Sequence, residues 1–185
     1  KIDQNMKVVY LMLLSSLSLL VSLHAQTLAF WPLTPDHPGD ARVFSEGING
    51  LALERGNGIG VLNFSSSGVS AANWAEALSD EAAVDYFQFG IETSSDQTVE
   101  ATGLRLKERR SSSGPLAFVV AYSTDNFQTE TLLTPQVLPD DIAGRSHLFP
   151  LNIKIAAQES LLFRLYAYNS ESSSGSWTIK SNALE

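Results

Sequence analysis

The chain has 185 residues, of which 44% are hydrophobic and 17% charged, with no cysteine and a formal charge of −8. The lack of cysteine excludes disulfides, thiolate metal sites and cysteine nucleophiles together. The acidic balance argues against a nucleic-acid partner, which would need a basic surface.

Met6 and Lys7 precede a 16-residue apolar run from Val8 to Leu23, which is followed by His24-Ala25-Gln26. This is the layout of a secretory signal peptide, with Ala25 as the small residue before the cut. A membrane-spanning helix wants about 20 apolar residues, whereas this run is shorter and carries four serines. Membrane contact is therefore expected only through the leader before cleavage. Residues Lys1 to Asn5 read as upstream translated sequence. The expected division is residues 1–25 as upstream residues and a signal-peptide helix, and residues 26–185 as one domain. Removing the leader leaves 10 basic and 19 acidic residues and a charge near −9. About 100–200 residues is an ordinary size for a single domain, and this length can bury a core without covalent staples. The leader and the missing cysteines together predict a secreted or cell-surface protein of bacterial type.

Along the mature chain, strand-sized apolar runs alternate with turn signals. Thr27 to Leu33 is the first, closed by Pro32, Pro35, Pro38 and Gly39, which cannot sit in a central ladder. Gly47 to Glu54 and Ile59 to Phe64 flank Arg55-Gly56-Asn57-Gly58, whose residues suit a hairpin turn. Ser65 to Gly68 reads as loop. Ala71 to Ala83 concentrates helix formers, and Asn73 with Glu76 offers a cap for one or two turns. Val84 to Glu92 sends Phe87, Phe89 and Ile91 to one side and Tyr86, Gln88 and Gly90 to the other. Thr98 to Glu108 and Leu116 to Ser123 read as a hairpin around a polar Ser-Gly-Pro turn. Its Arg105-to-Arg110 basic cluster forms a solvated face. Thr129 to Thr134, Ser146 to Ile153, Leu161 to Tyr168 and Gly175 to Ile179 complete nine or ten strands, with Pro135 to Gly144 as an acidic connection. The expected class is all-β, a two-sheet antiparallel jelly-roll-like sandwich.

Several blocks carry a resemblance. They are Arg109-Arg110-Ser111-Ser112-Ser113-Gly114-Pro115, Val120 to Phe127, Phe163-Arg164-Leu165-Tyr166-Ala167-Tyr168-Asn169 and Ser174 to Ile179. In that order they resemble a bacterial secreted jelly-roll module, similar to the discoidin-like and carbohydrate-binding domains of exported surface proteins. The resemblance implies a lectin-like sandwich at the amino-terminal end of a larger exported protein. Related sandwiches can place a calcium-binding carboxylate near the last strand. Here Lys180 stands at that position and would repel the ion, so no calcium site and no other cofactor is carried over. Asp36, Asp40 and Asp140-Asp141 read as ordinary turn residues, with loop-bound calcium as the disfavoured alternative.

No Gly-x-Ser-x-Gly elbow and no His-Glu-x-x-His spacing occurs, and His37 and His147 read as surface or edge residues. No catalytic residue is assigned. The remaining enzymatic alternative is a glycoside hydrolase using two of the many carboxylates. A binding role rests on Leu161 to Tyr168. With Leu161, Phe163 and Leu165 inward, strand alternation puts Arg164, Tyr166 and Tyr168 on the opposite face, where rings and a guanidinium could meet a sugar. Trp74, in a loop, joins them as a candidate contact, while Trp177 is expected to plug the core. The expected function is non-catalytic adhesion or glycan recognition. The competing expectation is a structural surface or matrix domain contacting other proteins, which would bury Tyr166 and Tyr168.

Overall fold

A computed structural model describes residues 26–77, 84–94 and 96–185. The expected leader lies outside the described residues. Thirteen strands are found among the described residues: β1 (Ala29–Phe30), β2 (Arg42–Val43), β3 (Ile48–Arg55), β4 (Asn63–Ser65), β5 (Gly68–Ala72), β6 (Tyr86–Thr93), β7 (Val99–Arg110), β8 (Pro115–Ser123), β9 (Thr131–Leu132), β10 (Gln136–Val137), β11 (Arg145–Ile155), β12 (Ser160–Ser170) and β13 (Ser176–Lys180). One sheet has the order β10-β8-β12-β6-β3, with β9 also paired to β8, and the other has the order β11-β7-β13-β5-β4. All pairings are antiparallel, and β1 and β2 form a separate small ribbon. The described residues thus form an all-β, two-sheet sandwich.

The sheets face each other because period-two alternation gives each an apolar side. In β6 and β12 the inward residues are Phe87, Phe89, Ile91, Leu161, Phe163 and Leu165, all buried. Burying each such side chain contributes about 1.5–3 kcal/mol. Aromatic rings organise the core in two groups. Trp177 stacks on Phe87 at 5.9 Å and meets Trp74 edge-on at 5.6 Å, while Phe89 contacts both Trp31 and Phe163.

Two expected hairpins are instead crossings between the sheets. β3 pairs with β6 in the first sheet, while β4 pairs with β5 in the second. The intervening Gly56 and Gly58 amides donate to the carbonyls of Tyr86 and Val84, so the chain stays fastened to the start of β6 before it departs. A Cβ on Gly56 would lie 1.8 Å from the Val84 carbonyl oxygen, so only glycine permits that approach. Likewise β7 belongs to the second sheet and β8 to the first, so the Ser-Gly-Pro turn is an arch over the sandwich edge.

Ser66-Ser67, expected to be plain loop, form the turn of the tight β4–β5 hairpin. Gly68 follows at φ +128, and a Cβ there would lie 2.0 Å from the Ile179 carbonyl oxygen. The helix expected over Ala71 to Ala83 is not present in its described part. Ala71 and Ala72 end β5, and Asn73 adopts φ 64, the left-handed region, where it cannot act as an amino-terminal cap. Its side-chain amide instead donates to the Gly58 carbonyl at 2.6 Å. Residues 78–83 of that segment lie outside the described residues.

The basic cluster also splits. Arg105, Lys107 and Arg109 are exposed, as a solvated face requires, but Arg110 is fully buried. His147 is half-buried, edge-on to Phe118 at 4.9 Å and 3.3 Å from the Glu108 carboxylate, so it belongs to the edge of the core. His37 sits in its loop, 2.8 Å from the Arg42 guanidinium. Asp140 and Asp141 are engaged by Arg110 and Arg145. Among the described residues no group of three or more His, Asp or Glu could hold a metal ion, and no helix is long and apolar enough to cross a membrane.

Candidate functional site

The outer face of the first sheet carries the residues that alternate against its core. On β12 these are Leu162, Arg164, Tyr166 and Tyr168; β6 adds Tyr86 and Gln88, and β8 adds Val119 and Ala121. Strand alternation therefore brings Arg164, Tyr166 and Tyr168 to one face.

That face is only partly open. The β8–β9 loop, residues 124–130, folds back across it, and Val119, Ala121 and Tyr166 form a second small apolar cluster with Tyr86, Phe127 and Tyr168 packed against it. Tyr166 is left 6% exposed. Its hydroxyl donates to Glu130 at 3.2 Å and accepts from Arg164 at 3.5 Å. Burial is the main cause raising the phenol above its ordinary range, so it stays a protonated donor. Arg164 lies between two rings, its guanidinium carbon 4.1 Å from the Tyr86 centroid and 3.8 Å from that of Phe127. Its Nε donates to Gln88 at 2.8 Å. A guanidinium flanked in this way is held by cation–π attraction on both faces. The cluster thus fastens the loop, and Tyr166 is a bracing residue with little surface to offer a ligand.

Trp74 does not belong to this face. It is 3% exposed, edge-on to Phe87 at 5.0 Å, and its indole donates to the Ala71 carbonyl at 2.8 Å. The left-handed Asn73 reverses the chain after β5 and turns the following indole into the core.

The loop owes its shape to local polar contacts. Asp125 accepts from the Ser123 hydroxyl at 2.7 Å and from the Thr129 hydroxyl and amide at 2.7 and 3.0 Å. The Ser123 hydroxyl in turn accepts from the Phe127 amide at 2.9 Å. Asn126 and Phe127 both sit at φ 59, a region costly for an aromatic residue and tolerated where surrounding contacts over-determine it. The Ser123 hydrogen bond, then those of Thr129, lower the Asp125 pKa to about 2. A carboxyl lowered on folding stabilises above its unfolded value, and that contribution fades as pH falls through the folded value. The Phe127 and Thr129 amides should therefore stay protected from hydrogen exchange down to about pH 3 and lose protection toward pH 2. Loss centred at the ordinary carboxylate range would show that Asp125 does not hold the loop.

Beside the braced cluster the face remains open as a cleft of about 470 Å³. Leu51 and Ala52 give it apolar surface, while Glu54, Gln88, Asn126 and Gln158 are among the groups that give it hydrogen-bonding edges. Sequence reading missed these residues, since they come from β3, β6 and two loops. The positive φ of Asn126 (59) and Gln158 (64) is what turns the two loops at its rim.

No family model and no curated protein matches the chain. Among solved structures it is similar to a single-substitution variant of a family 29 carbohydrate-binding module at 8% identity, with 86% of this chain and 92% of that one covered and a TM-score of 0.43. It is also similar to variants of such a module complexed with cellulohexaose (8% identity, 84% and 89% covered, TM-score 0.45) and with mannohexaose (8%, 87% and 92%, 0.42).

Proposed function

We propose that this chain is a secreted, non-catalytic sandwich module that recognises a carbohydrate in the cleft on the outer face of its first sheet. The observation that carries this reading is the cleft itself, in which apolar Leu51 and Ala52 are ringed by amide, hydroxyl and carboxylate side chains. A saccharide presents the same mixture, C–H patches between hydroxyls that donate and accept. Arg164, Tyr166 and Tyr168 serve the site indirectly, by holding the loop that supplies Thr124, Asp125 and Asn126 to the rim.

An oligosaccharide array followed by titration calorimetry tests this. Asn126→Gly and Gln158→Gly remove ligand-facing amides at positions whose backbone glycine adopts freely, so the loops keep their shape. Each should weaken binding roughly three- to tenfold, the worth of a hydrogen bond. An empty array, or affinity unmoved by both substitutions, would remove the cleft as a glycan site. A second reading, a structural module contacting other proteins, draws support from the burial of Tyr166 and from exposed Leu132 and Val137 on the short strands beside β8. It expects the empty array.

A further inference from the structure

We infer that the cleft sorts saccharides by charge, preferring amino-bearing sugars and rejecting uronates, with Glu54 as the specificity-determining residue; this rests on the carbohydrate reading above. Its lining includes three carboxylates, Glu54, Asp125 and Glu159, and no lysine or arginine. The guanidinium on the same face, Arg164, is covered on both sides by rings and spends its Nε on Gln88, so it is poorly placed to receive an anionic sugar.

The three carboxylates differ in what they have left to give. Asp125 accepts from Ser123 and Thr129, and Glu159 accepts from the Ala156 amide at 3.1 Å, so both are committed to their own loops. Glu54 is exposed on β3 with Gln88 as its cross-strand partner, and among the described residues it enters no ion pair. Its oxygens are free to accept from a ligand ammonium, and the local field opposes a second carboxylate.

Calorimetry with four hexasaccharides tests the sorting: fully de-acetylated glucosamine, its N-acetylated counterpart, neutral glucose and galacturonate, all at a pH where the amine is protonated. The amino-sugar should bind about fivefold more tightly than the neutral one, as befits a partly exposed ion pair, and the uronate should bind weakest. Raising the salt should compress that ratio. Glu54→Gln should bring the amino-to-neutral ratio toward one, with an unchanged melting temperature showing that the fold is intact. That comparison separates Glu54 from the general field of an acidic protein. If the neutral hexamer binds and the uronate matches it, or if the ratio survives Glu54→Gln, charge sorting is overturned while the glycan site stands. If no hexamer binds, the sorting is overturned, and the glycan site falls with it only where the oligosaccharide array is empty too.

Discussion

Arg110→Met should destabilise the protein by about 3 kcal/mol, the scale expected when a buried carbonyl loses both its donors and two ion pairs go with them, although the substitution keeps the length and most of the volume of the side chain. Arg110 ends β7 on its inward side and is fully buried. Its Nε and Nη2 both donate to the Gly114 carbonyl, at 3.2 and 2.8 Å, and Nη2 also donates to Ser112 at 3.2 Å. Nη1 donates to Asp140 at 2.5 Å, and Nη2 to Glu171. One guanidinium therefore ties together the β7–β8 arch, the β10–β11 connection and the β12–β13 connection. Asp140 and Glu171 are 72% and 40% exposed, so water screens those two pairs and each contributes at most about 1 kcal/mol. The larger cost comes from Gly114, whose buried carbonyl would face methionine. Arg110→Lys should recover only part of the loss, because a point charge cannot supply the same fork of donors. Urea melts of the three proteins check this, and a methionine variant within about 1 kcal/mol of the parent would show that the arch holds without its arginine.

The sequence makes the layers legible because period-two alternation is a local property. Leu161, Phe163 and Leu165 against Arg164, Tyr166 and Tyr168 needs no knowledge of the neighbouring strands, and the same holds for Phe87, Phe89 and Ile91. Whether the outer face meets water is not local. Tyr166 is buried because a loop eight residues past its partner Val119 turns back on the sheet, and that turn depends on Asn126 and Phe127 both taking positive φ. The arch that reads as a hairpin is a related case, since Ser-Gly-Pro suits either connection. A usable signal was the phase of β7: counting by twos from Leu104 and Leu106 puts Glu108 and Arg110 inside, and buried charges require partners beyond a simple two-stranded pairing. The cleft was least legible, because its lining is drawn from segments far apart in sequence and few of its residues stand out by type.

Trp177→Ala should have the largest effect on stability of any single change considered, at least about 4 kcal/mol, since an emptied tryptophan site in a core costs about 3–5 kcal/mol before any polar loss is added. Trp177 is fully buried on β13, the central strand of the second sheet. It stacks on Phe87 at 8°, tilts against Phe118 at 5.0 Å and meets Trp74 edge-on, so it joins both sheets. Its indole also donates to Glu108 at 3.0 Å. Glu108 is fully buried, with His147 at 3.3 Å and Arg145 at 3.6 Å from its other oxygen. Trp177→Phe separates the two contributions: the ring stays, the N–H goes, and one carboxylate oxygen loses its donor at a cost of about 1–3 kcal/mol. If that bond matters, Trp177→Phe and Glu108→Gln should be coupled by about 1 kcal/mol in a double-mutant cycle. Additive losses would mean that Trp177 acts through packing alone and that His147 and Arg145 satisfy the buried carboxylate without it.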